Sequence, residues 1–155
     1  VDDMGSFYEE FFPDFSRSEY NSMIAFFGLN PKQKLYGMST GMVAKVRVAA
    51  TLSRNADVIL LDEPINGIDM MGQEQVWQII KSINLDGKAI IISSHMLDQL
   101  EGVCDYVVMM NAGRVIFHGD MAQLRVQYKM SVSELYRMIY AQYFQAMAMG
   151  GGMMQ

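Results

Sequence analysis

Cysteine, proline and basic charge are all scarce in this chain, and each scarcity removes a class of protein. The single cysteine, Cys104, has no partner for an internal disulfide, so nothing requires an oxidising compartment. It precedes an apolar run and reads as a small core residue. His95 and His118 stand at no familiar metal-ligand spacing from it. Lys and Arg number 12 against 17 Asp and Glu, a net charge of −5. A duplex-binding surface draws on a basic patch, and the pair Lys32 and Lys34 is too short to make one, so no nucleic-acid partner is expected. No apolar run approaches the roughly 20 residues of a membrane helix, and no signal-peptide pattern opens the chain. The expectation is a soluble, cytoplasmic protein.

What is present is a globular composition, 51% hydrophobic and 19% charged over 155 residues, enough for one domain with a core. The 16 methionines include several in the tail AMAMGGGMMQ. Thioether copper ligation is one reading of that tail; compositional bias at a frayed, glycine-rich end is the simpler one.

Helix and strand signals alternate along the chain. Met4 to Phe27 reads as two short helices separated by Pro13, the second opened by the capping box Ser16-Arg-Ser-Glu19. Gly28 and Pro31 mark a loop. From Ser39 to Arg54 a helix carries Met42, Val46, Ala49 and Leu52 on one stripe. The run Val58 to Leu61 predicts a strand buried on both faces, as in a parallel sheet. A helix with Val76, Ile79, Ile80 and Ile83 on its core side follows, with Trp77 as a packing residue, and then a second strand, Ala89 to Ile92. Strand, helix, strand is a βαβ unit. Beyond a short helix at Met96 to Glu101, Tyr106 to Met110 and Arg114 to Phe117 predict a hairpin about Asn111-Ala-Gly113. Two more helices follow Gly119 and the capping box Ser131-Val-Ser-Glu134. The tyrosines and phenylalanine at 136, 140, 143 and 144 form a stripe expected to dock on the rest of the domain. So short a parallel sheet leaves edges unpaired, and with Val1 in place of an initiator Met the chain is expected to be a fragment.

Ligands of open α/β sheets bind beyond the carboxyl ends of the strands. Both predicted strands place polar groups there: Asp62-Glu63 on the first, Ser93-Ser94-His95 on the second. An aspartate in that position can hold Mg²⁺ beside phosphate oxygens. A neighbouring glutamate can deprotonate water, and a histidine can hydrogen-bond a terminal phosphate or the attacking water. The constellation fits nucleotide hydrolysis.

At this point the sequence resembles a family. LLDEP looks like the Walker B strand of ABC-type ATPases, INGID like the loop after it, and SSH like the strand that ends in the switch histidine. MSTGM, Met38 to Met42, stands where the family carries its signature, usually LSGGQ. Ser39 precedes Asp62 by 23 positions and Glu63 precedes His95 by 32, separations typical of the family. The implied fold is α/β: a partial P-loop NTPase (RecA-like) parallel-sheet core with part of the ABC helical subdomain. Residues 1–54 would be the helical subdomain with the signature helix. Residues 55–128 would be the later part of the ATPase core, and 129–155 a C-terminal helix with a flexible Met- and Gly-rich tail.

Residue by residue, the resemblance implies that Asp62 serves Mg²⁺, through water, and Glu63 is the catalytic base. His95 would contact the γ-phosphate, and Asp69 would reach across a dimer interface. Ser39 and the amide of Gly41 would bind, in trans, the γ-phosphate of ATP held by an opposite protomer. A helix N-terminus suits that role because its amides are free and its dipole end is positive; as an ordinary residue Ser39 is also a favoured N-cap. Thr40, Met42 and Met38 depart from the usual signature, and Ile65 from the usual loop. A signature of this form, with Phe11-Phe-Pro-Asp-Phe15 upstream, is similar to a subgroup of transporter ATPases that often export peptides, lipids or antibiotics.

No G-x-x-x-x-G-K-[ST] phosphate cradle occurs in the chain, so the resemblance covers the later half of an ATPase domain. The function it implies is the ATP-hydrolysing subunit of an exporter-like ABC transporter, with ATP and Mg²⁺ as cofactors and little activity expected of this chain alone. Its expected partners are a second such subunit, identical or not, and transmembrane permease subunits. That places it on the cytoplasmic face of the membrane, with Phe7, Tyr8, Phe11, Phe12 and Phe15 as contact candidates. Two other classes stand beside this one: a non-catalytic interaction module or decayed paralogue, and a nucleic-acid-associated ABC ATPase, which the acidic charge and the absence of heptads disfavour.

Overall fold

In the computed structural model, which describes residues 1–83 and 87–150, the chain forms two compact units, Val1–His95 and Met96–Gln155. The end of the methionine-rich tail, residues 151–155, lies outside the described residues.

The first unit opens with α1 (Asp2–Phe11) and α2 (Arg17–Phe26). Ser16 caps α2 by accepting from the Glu19 amide at 3.3 Å, as the capping box predicts. The two helices approach closely where α1 has Gly5: a Cβ there would lie 2.8 Å from Tyr20 Cε1. Tyr20 is buried, its hydroxyl donating to the Val1 carbonyl at 2.9 Å, and burial pushes its pKa up to about 12.

The helix carrying MSTGM is α3 (Thr40–Leu52), with Val46, Val48, Ala49, Ala50 and Leu52 buried. Its far end is tied back to the Pro13 turn. The Arg54 guanidinium grips Asp14 with two bonds of 2.8 Å and lies 4.0 Å from the centre of the Phe12 ring. The Ser16 amide donates to the Ser53 carbonyl at 2.8 Å. This fork holds the Asp14 carboxyl below the usual carboxylate range.

Next come β1 (Val58–Asp62), α4 (Met70–Ser82) and β2 (Ala89–Ser93). The strands pair in parallel, Val58 with Ala89 through Asp62 with Ser93, so the βαβ unit forms as expected. Trp77 is buried with Val76, Ile79 and Ile80. Burial on both strand faces does not hold among the described residues. Ile59 and Leu61 are buried, while Val58, Leu60 and Ile91 are each more than half exposed. Side chains alternate across a strand. Ile59 shares a cleft with Leu52 of α3 and Ile79 of α4, so the helices cover one face only.

The second unit holds α5 (Leu97–Leu100), the hairpin β3 (Tyr106–Asn111) and β4 (Arg114–Asp120), α6 (Met121–Tyr128) and α7 (Val132–Gly150). Ala112 (φ 46°) and Gly113 (φ 74°) make its two-residue turn, the doubly left-handed geometry that matches strand twist. Met109, Met121, Leu124, Val132 and Leu135 form its core. The second capping box closes reciprocally: the Glu134 amide donates to Ser131 Oγ at 3.1 Å, and the Ser131 amide to Glu134 Oε2 at 2.9 Å. Asp98 and Glu101 of the α5 segment also receive the start of α7, from the Ser133 hydroxyl and the Val132 amide. Of the aromatic stripe, Tyr136 packs against the core cluster, while Phe144 is half exposed.

Candidate functional site

Asp62 and Glu63 stand at the carboxyl end of β1 and His95 two residues beyond β2, within one unit. The parallel register sets Asp62 opposite Ser93, and the Ser93 hydroxyl donates to Asp62 Oδ1. The Glu63 amide donates to both the carbonyl and the hydroxyl of Ser93, each at 3.1 Å. These bonds hold Glu63 in a left-handed backbone conformation, φ 45°, which a non-glycine residue adopts at a cost of about 1–3 kcal/mol.

The turn aims the Glu63 side chain at His95. Oε1 accepts from the His95 amide at 3.1 Å and lies 2.8 Å from His95 Nδ1. A carboxylate oxygen only accepts, so Nδ1 carries the proton of that bond. The other carboxylate oxygen, Glu63 Oε2, is buried with no hydrogen-bond partner. Such an atom is costly unless a water or ligand completes it.

Ser39 and Gly41 are placed elsewhere on the same unit, at the start of α3. Ser39 is the N-cap, its hydroxyl accepting from the Met42 amide at 3.2 Å. Gly41 has a packing reason to be glycine, because a Cβ there would sit 2.6 Å from the Gly67 carbonyl oxygen. The first turn of α3 thus rests on the INGID loop, where Gly67 takes φ 74° and Ile65 and Ile68 are buried. Burial gives Ile65, unusual for that loop, a core function. Asp69 begins α4 without a side-chain cap, its side chain 76% exposed. A cleft of about 550 Å³ is lined by Met38 and Thr40 on one side and Asp62, Glu63 and Asn66 on another. It brings the two segments to a common space.

Sequence reasoning placed Ser93 at the strand end without giving it a role, and it did not single out Arg47. Ser93 joins Asp62 to Glu63, and its signal was its place opposite Asp62 in a parallel pair. Arg47 lines the cleft from α3, exposed, at i+4 from Val43 and i−4 from Thr51 on the same wall.

Among the described residues no group of three or more His, Cys, Asp or Glu could hold a metal by itself. Mg²⁺ bound with a nucleotide needs only one or two protein carboxylates, since phosphates and water complete its octahedron. Asp62 could supply such a carboxylate, and the buried Glu63 Oε2 could accept from a water.

The site is thus a parallel strand pair with two carboxylates and a histidine at its carboxyl end. No family model matches. The chain is 39% identical over 87 residues to the energy-coupling factor transporter ATP-binding protein EcfA of Carboxydothermus hydrogenoformans, covering 56% of this chain and 32% of that protein. It is 34% identical over 92 residues to the ABC transporter ATP-binding protein NatA of Bacillus subtilis, covering 59% of this chain and 37% of that one. A solved ATP-binding subunit of an ABC transporter superposes with TM-score 0.68 at 25% identity, covering 81% of this chain and 56% of its own. A dimeric, post-hydrolysis ATP-binding cassette bound to ADP and Pi gives 0.60 at 21% identity, covering 68% and 47%. The chain is similar to ABC transporter ATP-binding proteins and has the fold of part of an ABC ATPase domain, and it spans about a third of the length of those curated relatives.

Proposed function

We propose that this chain is the later part of the ATP-hydrolysing subunit of an exporter-like ABC transporter. The observation that carries the proposal is the buried, unpartnered Oε2 of Glu63 beside an Oε1 already held by His95. One oxygen fixes the side chain, leaving the other to take a proton from a water. Asp62 would hold the Mg²⁺ of MgATP through water, and that ion would neutralise phosphate charge. His95, 69% exposed, would turn its other ring nitrogen to the γ-phosphate, donating when the ring carries both protons.

The chain has no phosphate cradle of the G-x-x-x-x-G-K-[ST] form, so hydrolysis would need that element from other polypeptide. In this reading Ser39 and Gly41 meet the γ-phosphate of ATP on a second subunit, identical or not, and Asp69 lies at that interface. Residues 1–54 act as the helical subdomain, residues 55–128 as ATPase core and residues 129–155 as a C-terminal extension. Permease subunits would contact the aromatic face, where Phe7 and Phe11 are exposed. That would place the protein at the cytoplasmic side of a membrane; no described helix is long and apolar enough to cross one.

The missing cradle also favours a second reading, a non-catalytic interaction module. The test is MgATP binding and turnover by this chain alone and when co-expressed with the Walker A half of a related cassette. Turnover restored by the second half and abolished by Glu63→Gln supports the ATPase reading. Stable association without nucleotide binding supports the module.

A further inference from the structure

We propose that Lys45 is a positioning residue that locks the start of α3 to the loop carrying Asp69, so that the two move as one body. The proposal rests on the nucleotide reading above for the purpose of that coupling, but not for its existence. Lys45 lies on the second turn of α3 with its side chain only 13% exposed. Its ammonium is 3.1 Å from Gln75 Oε1, 3.9 Å from Asp69 Oδ1 and 5.7 Å from the centre of the Phe27 ring. Such partners offset the cost of taking an ammonium out of water. Gln75 is held in turn, its amide donating to the Phe26 carbonyl at 3.0 Å. Lys45 therefore reaches α4 and Asp69, and through Gln75 the end of α2.

Two glycines make the approach possible. A Cβ on Gly72 would lie 2.5 Å from Lys45 Cε and 2.6 Å from Asp69 Oδ1, and one on Gly41 would strike the Gly67 carbonyl. The α3 N-terminus, the 65–69 loop and the first turn of α4 interlock at backbone distance, and Lys45 is the charged pin through them. The exposed Asp69 carboxylate makes no side-chain cap to its own helix and faces the Lys45 ammonium at 3.9 Å. A pull on the Ser39 end, as phosphate binding there would exert, is passed to Asp69 rather than absorbed by the loop.

The test is amide hydrogen exchange across residues 66–73 in this chain, comparing Lys45→Met, Lys45→Arg and Asp69→Asn. Loss of a charged hydrogen bond is expected to speed local exchange about tenfold in Lys45→Met, with α7 amides unchanged. Lys45→Arg should restore protection, and Asp69→Asn, whose exposed site makes misfolding no concern, should loosen the same amides. Unchanged exchange in Asp69→Asn, or failure of Arg to restore it, overturns the proposal. In the reconstituted ATPase, Lys45→Met should lower kcat about tenfold with KM for MgATP changed less than about twofold. A loosened loop with unchanged kcat also overturns the positioning role. Absence of MgATP binding by every variant and by the unsubstituted protein would instead defeat the nucleotide reading and leave the exchange result to decide the lock.

Discussion

Ser93 and Asp62 are partners across two parallel strands, and the Ser93 hydroxyl does two things at once: it donates to the Asp62 carboxylate and accepts from the Glu63 amide. The turn that presents both carboxylates is therefore held from the neighbouring strand. Ser93→Ala should remove both bonds and cost about 1–2 kcal/mol of stability, read as a lower urea midpoint at unchanged m-value. Ser93→Thr, which keeps the hydroxyl, should recover most of it.

Glu63→Gln preserves size and one acceptor oxygen but can no longer take a proton. In a nucleotide-competent assembly, turnover should fall by about 10²-fold or more, the scale of general-base catalysis, while MgATP binding persists. Turnover kinetics with a parallel nucleotide-binding titration check this; unchanged turnover would remove Glu63 from the base role.

The Ala112-Gly113 turn places an alanine at φ 46°, where an L-residue with a Cβ is disfavoured by about 1–2 kcal/mol. Asn tolerates that region and favours this turn type. Ala112→Asn should therefore raise the thermal midpoint of the second unit, and a fall in that midpoint would contradict the turn assignment.

Acid should loosen the first unit at the Pro13 turn. The Arg54 guanidinium bonded to Asp14 lowers its folded-state pKa from the ordinary 3.8, so the unfolded state binds the proton first. The contribution is fully present above pH 3.8 and is lost as pH falls through the lower folded-state value. Chemical denaturation at a series of acid pH values should show this dependence in the unsubstituted protein. It should be weaker in Asp14→Asn, which cannot titrate.

Much of this architecture was legible because local chemistry announces itself. Ser16, Ser39 and Ser131 cap helices where their spacing says they should, and LLDEP ends a parallel strand beside SSH. The open strand face was not legible. Val58 and Leu60 are as apolar as Ile59 and Leu61, and hydropathy alone does not say which face the helices cover. Nor did the sequence disclose the left-handed Glu63, whose conformation is held by a residue 30 positions away. The Asp14–Arg54 grip, over 40 positions, and the Lys45 pin depend on tertiary approach in the same way.

The exposed residues Val58, Leu60 and Ile91 bear on how the chain behaves in a tube. A two-stranded sheet with an uncovered apolar face invites further strands and other apolar surfaces. Expressed by itself, the chain should self-associate as its concentration rises, which light scattering would register. Polar residues at Leu60 and Ile91 should suppress that, giving a monodisperse sample in which a silent nucleotide assay reflects chemistry rather than clumping.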